Sequence, residues 1–322
     1  MRHLSNKDYL IFEQLVSLTQ AEMASTMSGV LKAHYKQVHV DPKFIFAKGD
    51  IPIALVAHMD TVFSSPVENL YYDPRRNVMW SSEGLGADDR AGIFAILYIL
   101  LHTKFRPHII LTTDEEKGCL GADALAKYKC PFDNLKYLIQ LDRRGANDCV
   151  FYDCYCPQFV EYVESFGFVE NYGTFSDISS LCPAWNVCGV NLSIGYENEH
   201  SIREILHVGQ MLSTIDKVIK MLQEQDIPNF TYTKLARNHF QCLNDIESKE
   251  NVVCSGCGIV IPEYETFPVK CSDNTTRYYC LDCIDPHVEW CDVCQEAYEV
   301  NDKNRNTHMC DECLEKYVHG NH

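Results

Sequence analysis

Apolar positions recur at helical spacing over about Asn6–Leu18 and Ala21–Tyr35, and then give way to short runs that suit strands: Gln37–Val40, Lys43–Ala47 and Ile51–Ala57. Leu70–Tyr72 and Asn77–Trp80 flank Asp73-Pro74-Arg75-Arg76, a pattern that predicts a hairpin. Ala91–Leu101 is apolar on every side, which predicts a buried helix. A strand at His108–Leu111, a helix at Ala122–Lys129 and a strand at Tyr137–Leu141 follow, with further strands at Val150–Tyr152 and Val187–Ile194. Val208–Gln223 closes the series as a helix with Met211, Ile215, Val218, Ile219 and Leu222 on one stripe. Strands alternating with helices predict an α/β three-layer sandwich around a mixed, mainly parallel central sheet. The chain shows no internal repeat and no low-complexity tract.

With 46% hydrophobic and 23% charged residues, the composition is that of a folded protein. The formal charge of −17 argues against nucleic acid and acidic membranes as partners, since both need clustered positive charge. Met1–Val16 has no apolar core of the signal-peptide kind, and the longest apolar run, Ile93–Leu101, is too short to span a bilayer. These features predict a cytoplasmic, reducing setting, where 17 cysteines point to metal binding or buried thiols rather than disulfides.

The cysteines are unevenly spread. Seven lie in the first 241 residues without metal-type pairing, and Cys154-Tyr155-Cys156 has the wrong spacing for a zinc knuckle. Ten lie from Cys242 onward. Ile227-Pro228-Asn229 ends a helical pattern and Asn244–Asn251 is mostly polar. The expected organisation is a catalytic domain over 1–228, a linker over 229–250 and a cysteine-rich module over 251–322.

In the first domain, apolar strands stop at chemically active residues. Ile51–Ala57 runs into His58-Met59-Asp60, and Gly84-Leu85-Gly86-Ala87-Asp88-Asp89 opens the buried helix. His108–Thr113 runs into Asp114-Glu115-Glu116, Tyr137–Leu141 into Asp142, and Val187–Ile194 leads to Gly195-Tyr196-Glu197-Asn198-Glu199-His200-Ser201. Open α/β sheets build their sites at the carboxyl ends of strands, so these loops can converge. Each motif alone has an ordinary reading: a His–Asp pair, a solvated Glu–Glu, or an Asp–Asp capping a helix. Five unrelated strand exits ending in His, Asp or Glu do not. His58, Asp88, Glu116, Asp142 and His200 supply two imidazoles and three carboxylates, the number that two zinc ions sharing one carboxylate require. Cobalt or manganese also suits this donor set.

These motifs, in this order, resemble those of the co-catalytic dizinc exopeptidases of clan MH, a group of aminopeptidases, carboxypeptidases and tripeptidase-like enzymes with the phosphorylase/hydrolase-like fold. The resemblance spans about Ile51 to Gln223. It implies that His58, Asp88 and Asp142 hold one metal and that Asp88, Glu116 and His200 hold the other, with Asp88 bridging. It also implies that Asp60 accepts a hydrogen bond from the His58 ring, and that Glu115 is the general base acting on a metal-bridging water. Asp177, in Ser176-Asp177, and Tyr196 are possible supporting residues. Many relatives insert a lid or dimerisation domain before that segment. Asp142 and Asp177 are too close in sequence for one, so an open site without a lid is expected.

The tail carries Cys254-x-x-Cys257, Cys280-x-x-Cys283, Cys291-x-x-Cys294 and Cys310-x-x-Cys313. Eight thiolates make two four-cysteine structural zinc sites, as in zinc-ribbon, LIM or RING-like modules. Pairing the first knuckle with the second and the third with the fourth closes the shorter loops and is the expected arrangement. Cys271, His287 and His308 are then unnecessary. The expected function is zinc-dependent hydrolysis of a peptide or amide bond, of exopeptidase and aminopeptidase-like character. The alternatives are deacylation of an N-acyl amino acid by the same centre, or a non-catalytic binding protein whose working part is the zinc module. The expected partners are a peptide or small amide substrate and a protein bound by that module.

Overall fold

The structure, a computed structural model, describes residues 2–234 except 155 and 174. It also describes 251–319 except 259, 263–265, 272–274, 281–282, 285–287, 292, 295–296, 302–303 and 305–306. Most of the expected linker, 235–250, and His287 lie outside the described residues. The chain divides into two compact units, 1–236 and 237–322.

In the first unit, helices α1 (Asn6–Val16) and α2 (Gln20–His34) open the chain, each started by a hydroxyl N-cap, Ser5 and Thr19. Strands β1 (Val38–Val40), β2 (Phe44–Ala47) and β3 (Ile51–His58) follow, and then the short hairpin β4 (Tyr71–Asp73) and β5 (Val78–Trp80). Next come α3 (Ala87–His102), β6 (Pro107–Thr112), α4 (Leu120–Ala126), β7 (Tyr137–Arg143) and β8 (Asp148–Val150). Elements α5 (Pro157–Glu164), β9 (Val169–Glu170), α6 (Asp177–Trp185) and β10 (Cys188–Ser193) lead to β11 (Tyr196–Glu197), β12 (Ile205–His207) and α7 (Val208–Gln223).

Eight strands form the central sheet in the order β1-β2-β6-β3-β7-β10-β8-β9. Its middle pairs, β6–β3, β3–β7 and β7–β10, are parallel, while β1–β2, β2–β6 and β10–β8 are antiparallel. Strands buried on both faces need continuous apolar runs, and β3, β6, β7 and β10 supply them. Helices α1, α3 and α7 pack together as one layer, and α4 and α6 pair as another. This is the α/β sandwich that the alternation predicts. After β3 the chain passes through α3 to β6 on one side and later returns to β7 on the other. The carboxyl end of β3 is therefore a switch point in strand order, where crevices form.

A second sheet, in the order β11-β12-β5-β4, extends the predicted β4–β5 hairpin with two strands that the sequence does not announce. Helices α5 and α6 and strand β9 are also absent from the sequence reading. Helix α6 contains Pro183 and two serines, and it is held by a Ser176–Ser179 capping box and by packing against α4.

In the second unit, three hairpins precede a final helix. They are β13–β14 (Asn251–Val253, Val260–Pro262), β15–β16 (Phe267–Lys270, Thr276–Tyr279) and β17–β18 (Val288–Trp290, Ala297–Glu299), and the helix is α8 (Asp311–His319). Its buried apolar cluster among the described residues is Val269, Tyr279 and Val288, with Cys283 and Ile284 beside it. Such a core is too thin to hold a fold of this size alone. Among the described residues, no helix is long and apolar enough to cross a membrane.

Candidate metal centre and active site

Strand β3 ends at His58, whose ring is 1% exposed, and the backbone continues to Asp60. His58 Nε2 lies 3.0 Å from Asp88 Oδ1 and 3.5 Å from Asp142 Oδ1. Asp88 comes from the opening turn of α3, where Asp88 and Asp89 depart from helical φ/ψ and so face different ways. The second oxygen of Asp88, Oδ2, is 3.3 Å from His200 Nε2, which in turn lies 3.0 Å from Glu116 Oε2. Two donor triads result, His58–Asp88–Asp142 and Asp88–Glu116–His200, each with its ligand atoms within 4.8 Å of one another. Asp88 belongs to both, as a bridging carboxylate must.

Asp89 has a different task. It is fully buried, accepts the His58 backbone N–H at 3.1 Å and the Gly92 N–H at 2.9 Å, and thereby ties β3 to α3. A Cβ on Gly92 would lie 2.4 Å from Asp89 Oδ1 and 2.6 Å from the Leu141 carbonyl, so only glycine allows this approach. The ordinary reading of Asp88-Asp89 as helix caps holds for Asp89, through that Gly92 N–H, but not for Asp88. A second cap is Glu204, 1% exposed, whose carboxylate accepts the N–H groups of Gly86 at 2.6 Å and Asp88 at 2.9 Å. Burial pushes Glu204 up to about 8, against the pull of those donors.

Asp142 sits at the end of β7 in a dense set of donors. Gln140 Nε2 reaches its Oδ2 at 3.1 Å, Ser176 Oγ the same oxygen at 2.9 Å, and the Tyr196 hydroxyl its Oδ1 at 3.1 Å. Asn191 accepts the Asp142 backbone N–H at 3.0 Å and donates to its carbonyl at 2.7 Å. The Tyr196 hydroxyl is thus engaged with a carboxylate of the site. Asp177, fully buried, accepts a hydrogen bond from Thr112 and leaves Oδ1 unpartnered among the described residues, and burial pushes it up to about 7.

Asp60 positions the turn after β6. Its two oxygens accept the backbone N–H groups of Glu115 and Glu116 at 3.1 Å each. Its Oδ1 also lies 3.3 Å from His58 Nδ1, without the geometry of a hydrogen bond. The left-handed backbone at Asp114 (φ 54) turns the chain there, and Lys43 and Lys117 clamp the Asp114 carboxylate at 2.7 and 2.9 Å. The Glu115 side chain is in neither triad. It lines the cleft in front of them and accepts a weak hydrogen bond from the Cys119 thiol at 3.6 Å.

The electrostatics call for cations. Burial, reinforced by Asp88, pushes Asp142 up to about 6 and Glu116 up to about 7. Glu115 rises to about 9, burial being the main cause. Burial works against a charge on His58, but Asp142, Asp60 and Asp88 outweigh it and hold the ring well above its ordinary value. Among the described residues, His58 Nδ1 and Glu116 Oε1 are buried without partners. Carboxylates crowded this closely repel one another unless positive charge lies between them, and imidazole plus carboxylate is a donor set that zinc accepts. The residues present fit such an ion in each triad.

The cleft measures about 500 Å³ and is lined by Asp88, Glu116, Asp142 and His200 of the triads together with Arg143, Tyr152, Phe175 and Glu199. No separate domain covers it in the first unit, as the close spacing of Asp142 and Asp177 predicts. The sequence reading did not single out Asp89, Gln140, Asn191 or Glu204. For Gln140 and Asn191 a signal existed, since each is a lone amide inside an apolar strand. Glu204 carried no comparable signal.

In the second unit the sulfur atoms form two quartets, Cys254–Cys257–Cys280–Cys283 and Cys291–Cys294–Cys310–Cys313, each within 4.8 Å. The first knuckle meets the second and the third meets the fourth. The gaps from Cys257 to Cys280 and from Cys294 to Cys310 are both 3.8 Å. A tetrahedral ion with bonds of about 2.3 Å to sulfur sets its ligands about 3.8 Å apart. Burial opposes ionisation of Cys254 and Cys291, but backbone N–H donors prevail and bring each thiol down to about 6.

The sandwich is an α/β architecture that solved peptidase structures also have. Residues 46–158 match the sequence model of peptidase family M28. That segment is about a third of the chain and contains every proposed residue of the centre except those after Asp142. The fold is similar to a tripeptidase from Staphylococcus aureus subsp. aureus Mu50, with a TM-score of 0.54 and 14% identity over 69% of this chain and 99% of that one. It is also similar to aminopeptidase PepT from Bacillus cereus ATCC 10987, with a TM-score of 0.51 and 14% identity over 67% and 97%. A TET aminopeptidase from Thaumarchaeota archaeon SCGC AB-539-E09 aligns with a TM-score of 0.51 and 14% identity over 69% and 98%. At this identity the likeness is one of fold. The search of curated proteins finds no match.

Proposed function

We propose that the first unit is a zinc-dependent metallopeptidase that cleaves a peptide or amide bond near one end of its substrate, with aminopeptidase-like architecture. The observation that carries this reading is the pair of donor triads sharing Asp88, with Glu115 beside them and outside both. The partial match to peptidase family M28 supports it. His58, Asp88 and Asp142 would hold one ion, and Asp88, Glu116 and His200 the other. When bound, such a pair polarises a carbonyl and makes water acidic enough to attack near neutral pH. The chain's own residues do the rest. Asp60 fixes the Glu115–Glu116 turn, and Gln140, Ser176 and Tyr196 orient Asp142. Glu115 takes a proton from the attacking water and passes it to the leaving amine.

The test is a substrate panel for the zinc-loaded full chain: amino-acid amides, short peptides and N-acyl amino acids. Peptide turnover is expected, with loss in chelator and on Glu115→Gln. That variant should lose about 10²- to 10⁴-fold in kcat while keeping its metal content. Turnover retained in Glu115→Gln would refute the base assignment, and turnover confined to N-acyl amino acids would refute the peptidase reading.

The eight knuckle cysteines of the second unit are assigned two structural zinc ions, and the module is assigned a protein partner. Thiols kept free for zinc fit a reducing cytoplasm.

A further inference from the structure

Arg143 follows Asp142 at the end of β7, where the register against β10 slips between Asn191 and Ser193. The slip lets two consecutive residues, Asp142 and Arg143, line the same cleft. The Arg143 side chain is only 15% exposed. Its Nε is buried without a partner, and among the described residues the guanidinium donates no hydrogen bond. Its ion-pair partner, Asp148 Oδ2, is 3.6 Å away and already accepts Asn171 Nδ2 at 2.7 Å. Other arginines here are matched: Arg90 donates to the carbonyls of Met59 and Leu18, and Arg144 pairs with Glu199 at 3.1 Å.

A shielded guanidinium with its donors unused is costly, and its planar fork matches a carboxylate or a phosphate, of which a peptide carries the carboxylate at its C-terminus. The site's own carboxylates do not fill that role, because Asp88, Asp142 and Glu116 belong to the triads. An anionic substrate group approaching Glu115 and Glu199 would be repelled unless a fixed cation received it. Phe175, 60% exposed on the same cleft, offers apolar surface beside that cation.

We propose that Arg143 receives the carboxylate of the substrate, so that the enzyme prefers short peptides with a free C-terminus over their blocked counterparts. This rests on the metallopeptidase reading above, and it makes Arg143 a specificity residue that touches substrate.

Leucyl-phenylalanine and its C-terminal amide, given to the zinc-loaded full chain and to Arg143→Met and Arg143→Lys, test it. Binding of free phenylalanine and of phenylalaninamide is measured alongside by calorimetry. The wild type should favour the free acid by at least about 10-fold in kcat/KM and bind phenylalanine more tightly than its amide. In Arg143→Met both preferences should collapse, with the acid losing far more than the amide, and Arg143→Lys should restore part of each. Equal use of acid and amide by the wild type, or an equal fall on both in Arg143→Met, overturns the proposal and leaves the peptidase reading standing. Absence of turnover with Arg143-dependent binding of phenylalanine does the reverse: the peptidase reading fails and the carboxylate site stands.

Discussion

Both oxygens of Asp60 are taken by the backbone of Glu115 and Glu116 while one also faces the His58 ring, so a single carboxylate holds the proposed base and two proposed ligands in register. Replacing it with Asn keeps the shape but turns an acceptor into a donor against an N–H. Asp60→Asn should weaken zinc retention by about 10- to 100-fold, measured by competition with a chromogenic chelator. His108 poses a separate question at the same scale. Its ring is buried at the start of β6, stacks on Phe132 at 4.2 Å and accepts the Gly49 N–H at 3.0 Å. Burial, with help from Lys48, lowers it to about 4 from an ordinary value of 6.5. Between those two values it is neutral in the fold and protonated in the unfolded chain, so its contribution, full above pH 6.5, is lost as pH falls from there through 4. The Tm should therefore drop between pH 7 and pH 5, and His108→Phe should reduce the size of that drop, whatever its own stability.

At the level of elements, α3 depends on a cap supplied from far along the chain. Glu204, in the segment between β11 and β12, takes the N–H groups of Gly86 and Asp88, ahead of the one that the local Asp89 caps. Glu204→Ala should cost about 1–3 kcal/mol, since it leaves buried N–H groups unpaired, and it should loosen Asp88; urea unfolding and zinc titration read the two effects. Long periodic elements such as α7 and the apolar strands β3, β6 and β7 were legible because burial itself writes their pattern. The site's five motifs were legible because they interrupt that pattern at strand ends. Helix α6 was not, since Pro183 and its serines read as a loop and tertiary packing on α4 overrides them. Strands β11 and β12 are two and three residues long, too short for alternation to register. Glu204 and Arg143 were missed for a related reason: their importance lies in which distant groups they face.

At the scale of the molecule, the two units rest on different supports. The first has an extensive apolar core, whereas the second shows, among the described residues, a cluster of Val269, Tyr279 and Val288 and two sulfur quartets. If zinc supplies the second unit's folding energy, a strong chelator should abolish amide protection over 251–319 while the first unit's core strands stay protected. Hydrogen exchange measures this directly, and protection surviving chelation in the tail would contradict it. Metal analysis should return about four ions per chain, falling to about two when His58 and His200 are both replaced by Ala.

The two triads also differ in access. The His58 ring is 1% exposed, while the His200 side chain is 54% exposed on a left-handed residue. Cations held at these positions would not exchange alike: the one beside His200 meets bulk solution first, and the one beside His58 must wait for the protein to open. Dilution into metal-free buffer should therefore deplete the pair in two kinetic phases, and re-supply with a different ion should give a mixed-metal enzyme whose composition records the order of departure.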